Sequence, residues 1–166
     1  MKFTKILLLL FFLVVVGECF SMGRIRRTNN FQNYKDHANE IGYALGVSYL
    51  RFENSFAPQL QMHYAKYFNN FFSLGFGYGG IFDQHFHNTF TFEPAFRVFN
   101  NLIITAKPGF TLKTNNNRTA MLYSVGVSAN YEFKISDYMH IGPKLEITMM
   151  QDDFNYVAAF HMGFTF

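Results

Sequence analysis

The chain has 166 residues, enough for one domain, and combines 49% hydrophobic with only 15% charged residues at a formal net charge of +3. It carries 23 Phe and 10 Tyr but no Trp, and after the leader no apolar run is long enough for a membrane helix. Positive charge gathers near the N-terminus at Arg24, Arg26 and Arg27, and no basic stripe points to a nucleic-acid partner.

Residues 1–21 read as a secretory signal peptide. Lys2 and Lys5 supply the charged start and Ile6 to Val16 the apolar core. Gly17-x-Cys19 or Cys19-x-Ser21 offers a small-residue cleavage site. A lipoprotein leader with Cys19 acylated is the competing reading, but that signal wants a small residue where Glu18 stands. Cleavage would remove the only cysteine, so the mature chain has no disulfide framework. Residues 22–39 are polar, lack alternation and read as a flexible periplasmic lead-in.

From residue 40 to 166, alternation of apolar and small or polar residues restarts again and again, which is the mark of half-buried strands. The first strand spans about Ile41–Phe52, with Ile41, Tyr43, Leu45, Val47 and Tyr49 on one face and Gly42, Ala44, Gly46 and Ser48 on the other. After a turn at Glu53–Ser55, the second sets Phe56, Leu60, Met62 and Tyr64 against Gln59, Gln61 and His63. Asn69-Asn70 turns the chain into the third strand, Phe72, Leu74, Phe76 and Tyr78 against Ser73, Gly75, Gly77 and Gly79. A loop over Asp83–Asn88 leads to the fourth, where Phe90, Phe92, Phe96 and Val98 alternate with Thr91, Glu93, Ala95 and Arg97.

Asn100-Asn101 opens the fifth strand, with Leu102, Ile104, Phe110 and Leu112 opposed to Thr105, Lys107, Gly109 and Lys113. Asn115–Asn117 leads to the sixth, Met121, Tyr123, Val125, Val127 and Tyr131 against Ser124, Gly126, Ser128, Asn130 and Glu132. The Ser136-Asp137 turn gives the seventh, Met139, Ile141, Leu145 and Ile147 against His140, Gly142, Lys144, Glu146 and Thr148. Gln151–Asp153 precedes a closing strand with Tyr156, Ala158, Phe160, Met162, Phe164 and Phe166 on its greasy face. Eight strands of this length suit an all-β, antiparallel, up-and-down transmembrane barrel.

Charge decides which face is inside. A soluble ligand-holding barrel turns large apolar groups inward and charges outward, and a membrane barrel does the reverse. On the bulky face only Arg51 and Lys66 are charged, both near strand ends, whereas Glu93, Arg97, Lys107, Lys144 and Glu146 share the other face with Gly, Ala, Ser and Thr. A Lys or Arg facing lipid at mid-depth costs about 2–4 kcal/mol, so the bulky face is the one that meets lipid. Pro94, Pro108 and Pro143 lie on that face. Each removes a ladder hydrogen bond where no water can replace it, which implies a local bulge or gap.

The C-terminal run His161, Met162, Gly163, Phe164, Thr165, Phe166 resembles the assembly signal of outer-membrane barrels, polar-x-Gly-hydrophobic-x-hydrophobic ending in Phe. With the eight alternating segments, the chain resembles the small outer-membrane barrels of the OmpA and OmpX type. The resemblance implies delivery by the barrel-assembly machinery, a bacterial outer-membrane location and a plugged interior. We expect a monomer in outer-membrane lipid with no cofactor.

Three groups are candidates for chemistry. Glu93, Arg97, Lys107, Lys144 and Glu146 would neutralise one another and fill the lumen, with Glu93 opposite Lys107 across the Asn100-Asn101 turn; an ion path is the functional alternative. Glu132, His140 and His161 converge near the periplasmic end, where a carboxylate and two imidazoles could bind a metal or orient a base, or simply fill space with hydrogen bonds. Asp83, His85 and His87 alternate at an outer loop, with Asp152 and Asp153 on another, as either a surface metal site or ordinary loop polarity. Some barrels of this size remove lipid acyl chains using His-x-Ser on a strand. This chain has no His-x-Ser, so enzymatic action on lipid stays a secondary reading beside a structural or surface role.

Overall fold

The computed structural model describes residues 39–84, 86–99, 101–115 and 118–166. The leader, most of the lead-in, Cys19 and His85 lie outside these. The strands are β1 (Asn39–Leu50), β2 (Ser55–Tyr67), β3 (Phe72–Ile81), β4 (His87–Arg97), β5 (Leu102–Asn115), β6 (Arg118–Tyr131, resuming at Phe133–Lys134), β7 (Met139–Met150) and β8 (Phe154–Thr165). Each pairs antiparallel with its sequence neighbours, and β1 pairs with β8 from Glu40↔Thr165 to Leu50↔Asn155. The sheet therefore closes on itself. The last rung is reciprocal: Asn39 N donates to Phe166 O (3.1 Å) and Phe166 N to Asn39 O (2.9 Å).

The faces divide by size and charge. Val127 and Phe160 are 54% and 55% exposed, while Glu93 and Lys107 are 8% and 5% exposed. Large apolar groups thus line the outside and ionised groups the inside, the inverse of a soluble barrel. Aromatic rungs run along the outer face where β3 meets β4: Phe72 opposite Phe96, Phe76 opposite Phe92 and Tyr78 opposite Phe90, with ring centroids 5.2–5.6 Å apart. Two tyrosines near strand ends are not presented outward. Tyr67 has the inward parity of Gln61 and His63, and its hydroxyl donates to Glu40. Tyr131 is buried with its ring 5.0 Å from that of Phe133.

One expected boundary shifts. His87 and Asn88 were expected in the loop, but they pair with Ile81 and Gly80 of β3 and with Lys113 and Leu112 of β5, so β4 starts earlier. The run Gly79-Gly80 lets β3 continue to meet them.

The prolines produce gaps rather than bulges. Arg97 N donates to Phe71 O and Val98 N to Leu102 O. Since amide direction alternates along a strand, the amide that Pro94 lacks would point at β5. Leu102 N donates to Phe99 O, so the one that Pro108 lacks would point at β4. Pairing between β4 and β5 lapses there, between Thr91↔Gly109 and Ala95↔Thr105, and resumes in unchanged register. Met150 N donates to Asp153 O on the β8 side, so the amide missing at Pro143 faces β6. The β6–β7 pairing lapses between Asn130↔Lys144 and Phe133↔Ile141, again without a register shift.

Inward glycines make room for long polar side chains. A Cβ at Gly77 would lie 2.1 Å from Glu93 Oε1, and one at Gly109 only 2.0 Å from the Phe90 carbonyl oxygen. At Gly79 the nearest atoms are at ordinary contact, 3.5 and 3.7 Å. We therefore expect Gly109→Ala to destabilise the barrel by about 1–3 kcal/mol and Gly79→Ala to be tolerated. Urea unfolding in phospholipid vesicles measures both.

Candidate functional site

Inward side chains stack in three tiers along the lumen. At the mouth holding the 51–54, 82–86 and 151–153 connections, Leu50, Ala57, Ile81 and Met150 form a buried apolar cluster. Just inside it, the Ser48 hydroxyl donates to Asn155 Oδ1. On the rim, Lys113 Nζ donates to Glu53 Oε1 (2.7 Å) and Asp152 Oδ2 (3.0 Å). Asp83 Oδ2 is 3.5 Å from His87 Nδ1. Glu53, Asp83 and His87 each offer a ligand atom within 4.8 Å of the others. The structure thus joins Asp83 and His87 with Glu53, a residue the sequence reading did not place there, while His85 lies outside the described residues.

The middle tier is ionic. Lys107 Nζ lies 2.7 Å from Glu146 Oε2 and 3.2 Å from Glu93 Oε1. Gln61 links the remaining charge: Lys144 Nζ donates to its Oε1 (2.6 Å), and its Nε2 donates to Glu146 Oε2 (3.2 Å). Thr91 and Thr148 hydroxyls donate to Glu93 and Glu146. The bridges run from β5 to β7 and from β7 to β2, between strands that are not neighbours, so they span the lumen. Arg97, grouped with these charges from the sequence, is elsewhere: its Nη2 donates to Glu132 Oε2 (3.1 Å) nearer the opposite mouth. It sits at the end of β4, two rungs beyond Ala95, too far along the axis to reach the Lys107 tier.

The third tier, toward the mouth with the 68–71, 98–101 and 135–138 turns, holds the histidines. Strand pairing sets His161 beside Gly142 and brings His140 Nε2 to 3.2 Å from Glu132 Oε1. Glu40 and His63, absent from the sequence-based group, occupy its centre. Glu40 Oε1 is 3.0, 3.4 and 3.9 Å from the Nε2 atoms of His63, His140 and His161. The available signal was parity: Glu40 precedes Gly42 by two residues on the inward face, and His63 follows Gln61 by two. Cavities of about 40 and 10 Å³ lie in the lumen, the larger lined by Glu40, His63, Glu132 and His161, the smaller by Gln59, Gln61, Lys107 and Glu146.

In the C-terminal run, His161 points inward, Gly163 pairs with Gly42 of β1 and with His140 of β7, and Phe164 and Phe166 are exposed on the outer face.

Among solved structures, the N-terminal barrel domain of Pseudomonas aeruginosa OprF superposes with a TM-score of 0.63 at 13% identity, covering 79% of this chain and 100% of that one. Neisserial surface protein A matches with a TM-score of 0.54 at 5% identity, covering 77% of this chain and 96% of its own. This has the fold of the small outer-membrane barrels. Ail, the attachment invasion locus protein of Yersinia pestis, is also similar, with a TM-score of 0.50 at 15% identity over 77% of this chain and 96% of that one. No family model and no curated protein matches the sequence.

The middle tier makes a quantitative expectation. Removing Lys107 leaves Glu93 and Glu146 buried without their shared cation, and breaking a buried pair costs about 3–5 kcal/mol. Lys107→Met should lose that much, whereas Lys113→Met at the half-exposed rim should lose about 0–1 kcal/mol. Equilibrium unfolding of the two variants in the same lipid makes the comparison.

Proposed function

We propose that the chain is a monomeric integral protein of the bacterial outer membrane whose lumen is plugged by its own side chains and whose role is structural or at the cell surface. The observation that carries this reading is the Lys107 ammonium held between Glu93 and Glu146, at the centre of a barrel whose outer face is aliphatic and aromatic. An open channel keeps water around its charged groups, whereas here those groups bond one another. The cavities of about 40 and 10 Å³ hold at most a few waters. The apolar cluster of Leu50, Ala57, Ile81 and Met150 adds a dewetted constriction of the kind that stops ions.

The short connections at the same mouth argue against an adhesin built on protruding loops. The lipid-modifying alternative has little to work with: Ser124 and Ser128 are buried on the inward face, away from any acyl chain. The C-terminal run ending in Phe166 supports delivery by the barrel-assembly machinery, and the apolar N-terminal stretch supports export as a signal peptide.

Fractionation should recover the protein in outer membranes, with faster gel mobility unboiled than boiled. Reconstituted in planar bilayers it should show no steady conductance, and Lys107→Ala with Glu146→Ala should open one. Stable unitary currents from the unaltered protein would overturn the plugged reading without touching the membrane assignment.

A further inference from the structure

The middle and inner tiers differ in charge. Lys107 and Lys144 offset Glu93 and Glu146 in the middle. In the inner tier Arg97 pairs with Glu132, while Glu40, which is 2% exposed, has no Lys or Arg partner among the described residues and faces three histidine rings. Glu40 Oε2 also accepts the Tyr67 hydroxyl, so Oε1 is the atom turned to the imidazoles. Buried charge without a counter-ion is costly, and its surroundings here are donor atoms of one kind.

The geometry is that of a socket. Glu40, His140 and His161 each present a ligand atom within 4.8 Å of the others, and His63 Nε2 approaches Glu40 Oε1 from β2 at 3.0 Å. The His63 and His161 rings stack at 5.1 Å and 15°, and His140 lies 5.4 Å from His161. Paired glycines form the floor. A Cβ at Gly42 would stand 2.2 Å from the His63 ring and 2.7 Å from His161 Nε2, and one at Gly163 would stand 2.1 Å from His140 Nε2. The Nε2 atoms of His140 and His161 are buried and make no hydrogen bond, although His161 is 1% exposed. His161 Nε2 thus faces Glu40 Oε1 at 3.9 Å without a hydrogen bond, and His140 Nε2 stands between Glu40 Oε1 and Glu132 Oε1 at 3.4 and 3.2 Å, so the buried, unpartnered His161 nitrogen is the independent observation that points to a ligand here.

We infer that Glu40, His63, His140 and His161 form a binding site for one divalent transition-metal ion of the zinc class, entered from the inner mouth of the lumen. Three imidazole nitrogens and one carboxylate oxygen are a tetrahedral zinc donor set. In such a site, ligand atoms stand about 3.3 Å apart around bonds of about 2.0–2.1 Å. Glu40, His140 and His161 already stand within 4.8 Å of one another; His63, outside that group, must swing in from β2 to complete the set. The outer shell is in place: Asn130 reaches His161 Nδ1 (3.0 Å) and Tyr67 holds Glu40. Asn130 now turns its amide nitrogen to that ring, while its oxygen has no partner. A half-turn of the amide lets the oxygen accept Nδ1–H of His161 and leaves the Nε2 lone pair for the metal, and it gives up the bond that the Asn130 amide nitrogen donates to Glu132 Oε1 (3.3 Å). The rim group of Glu53, Asp83 and His87 also holds buried ring nitrogens without a hydrogen bond, but there Lys113 already serves Glu53 as cation.

The inference stands apart from whether the lumen conducts. Folded protein in detergent, stripped with chelator and dialysed, is titrated with zinc chloride, and the zinc-loaded sample is read by X-ray absorption. One zinc ion per chain is expected, with imidazole scattering and ligands at about 2.0–2.2 Å. Affinity should fall about tenfold or more in His161→Gln and Glu40→Gln and stay unchanged in His87→Gln. Heat-modifiable, folded protein that takes up no zinc overturns the inference. So does zinc ligated by oxygen alone, or binding lost in His87→Gln but kept in His161→Gln. If the lumen variants fail to fold, the absorption spectrum of the unaltered protein decides between imidazole and oxygen ligation.

Discussion

Every feature of this molecule depends on closing the sheet. In hydrocarbon an unpaired amide or carbonyl has no water to turn to, so a spanning sheet must leave no open edge. The seam of β1 with β8 meets that demand along its whole length and finishes on the reciprocal Asn39–Phe166 rung. Closure with eight strands also creates a narrow interior, just wide enough for side chains to fill. The inward face can then be neither bulky nor bare: glycine, alanine and serine supply the space, and a few long polar residues occupy it.

What occupies it is graded along the axis. An apolar cluster lies at one mouth, a balanced group of two ammonium and two carboxylate groups in the middle, and three histidines with Glu40, Glu132 and Arg97 at the other mouth. Side-chain contacts across the lumen join strands that are not neighbours. Gln61 of β2 bonds both Lys144 and Glu146 of β7, and Asn130 of β6 reaches His161 of β8. These contacts brace the wall from within.

Local alternation was readable because a strand in a thin wall has one choice at each position, inside or outside, and size and charge announce it. Glu93 opposite Lys107 and His161 beside Gly142 followed from counting back from tight turns. Tight turns set register between sequence neighbours. The seam between the first and last strands has no turn, and nothing local sets its stagger. For that reason Glu40, which belongs with His140 and His161 across that seam, is not legible by counting from a turn. Glu53 likewise meets Asp83 and His87 only because neighbouring hairpins share a rim. Tyr67 flanks a turn, and its parity takes it inward to Glu40.

The two proline gaps lie on either side of one hairpin. Strands β5 and β6 are joined to each other without interruption from Leu102↔Tyr131 to Asn115↔Arg118, yet their outer borders each lack backbone ties, with β4 at mid-wall and with β7 nearer the mouth that holds the 135–138 turn. At both borders an acid-base contact crosses where the ladder lapses: Glu93 with Lys107 at one, Glu132 with His140 at the other, each at 3.2 Å. The barrel is therefore built like a cask with one double stave, tied to its neighbours by side chains at the two places where amide rungs lapse.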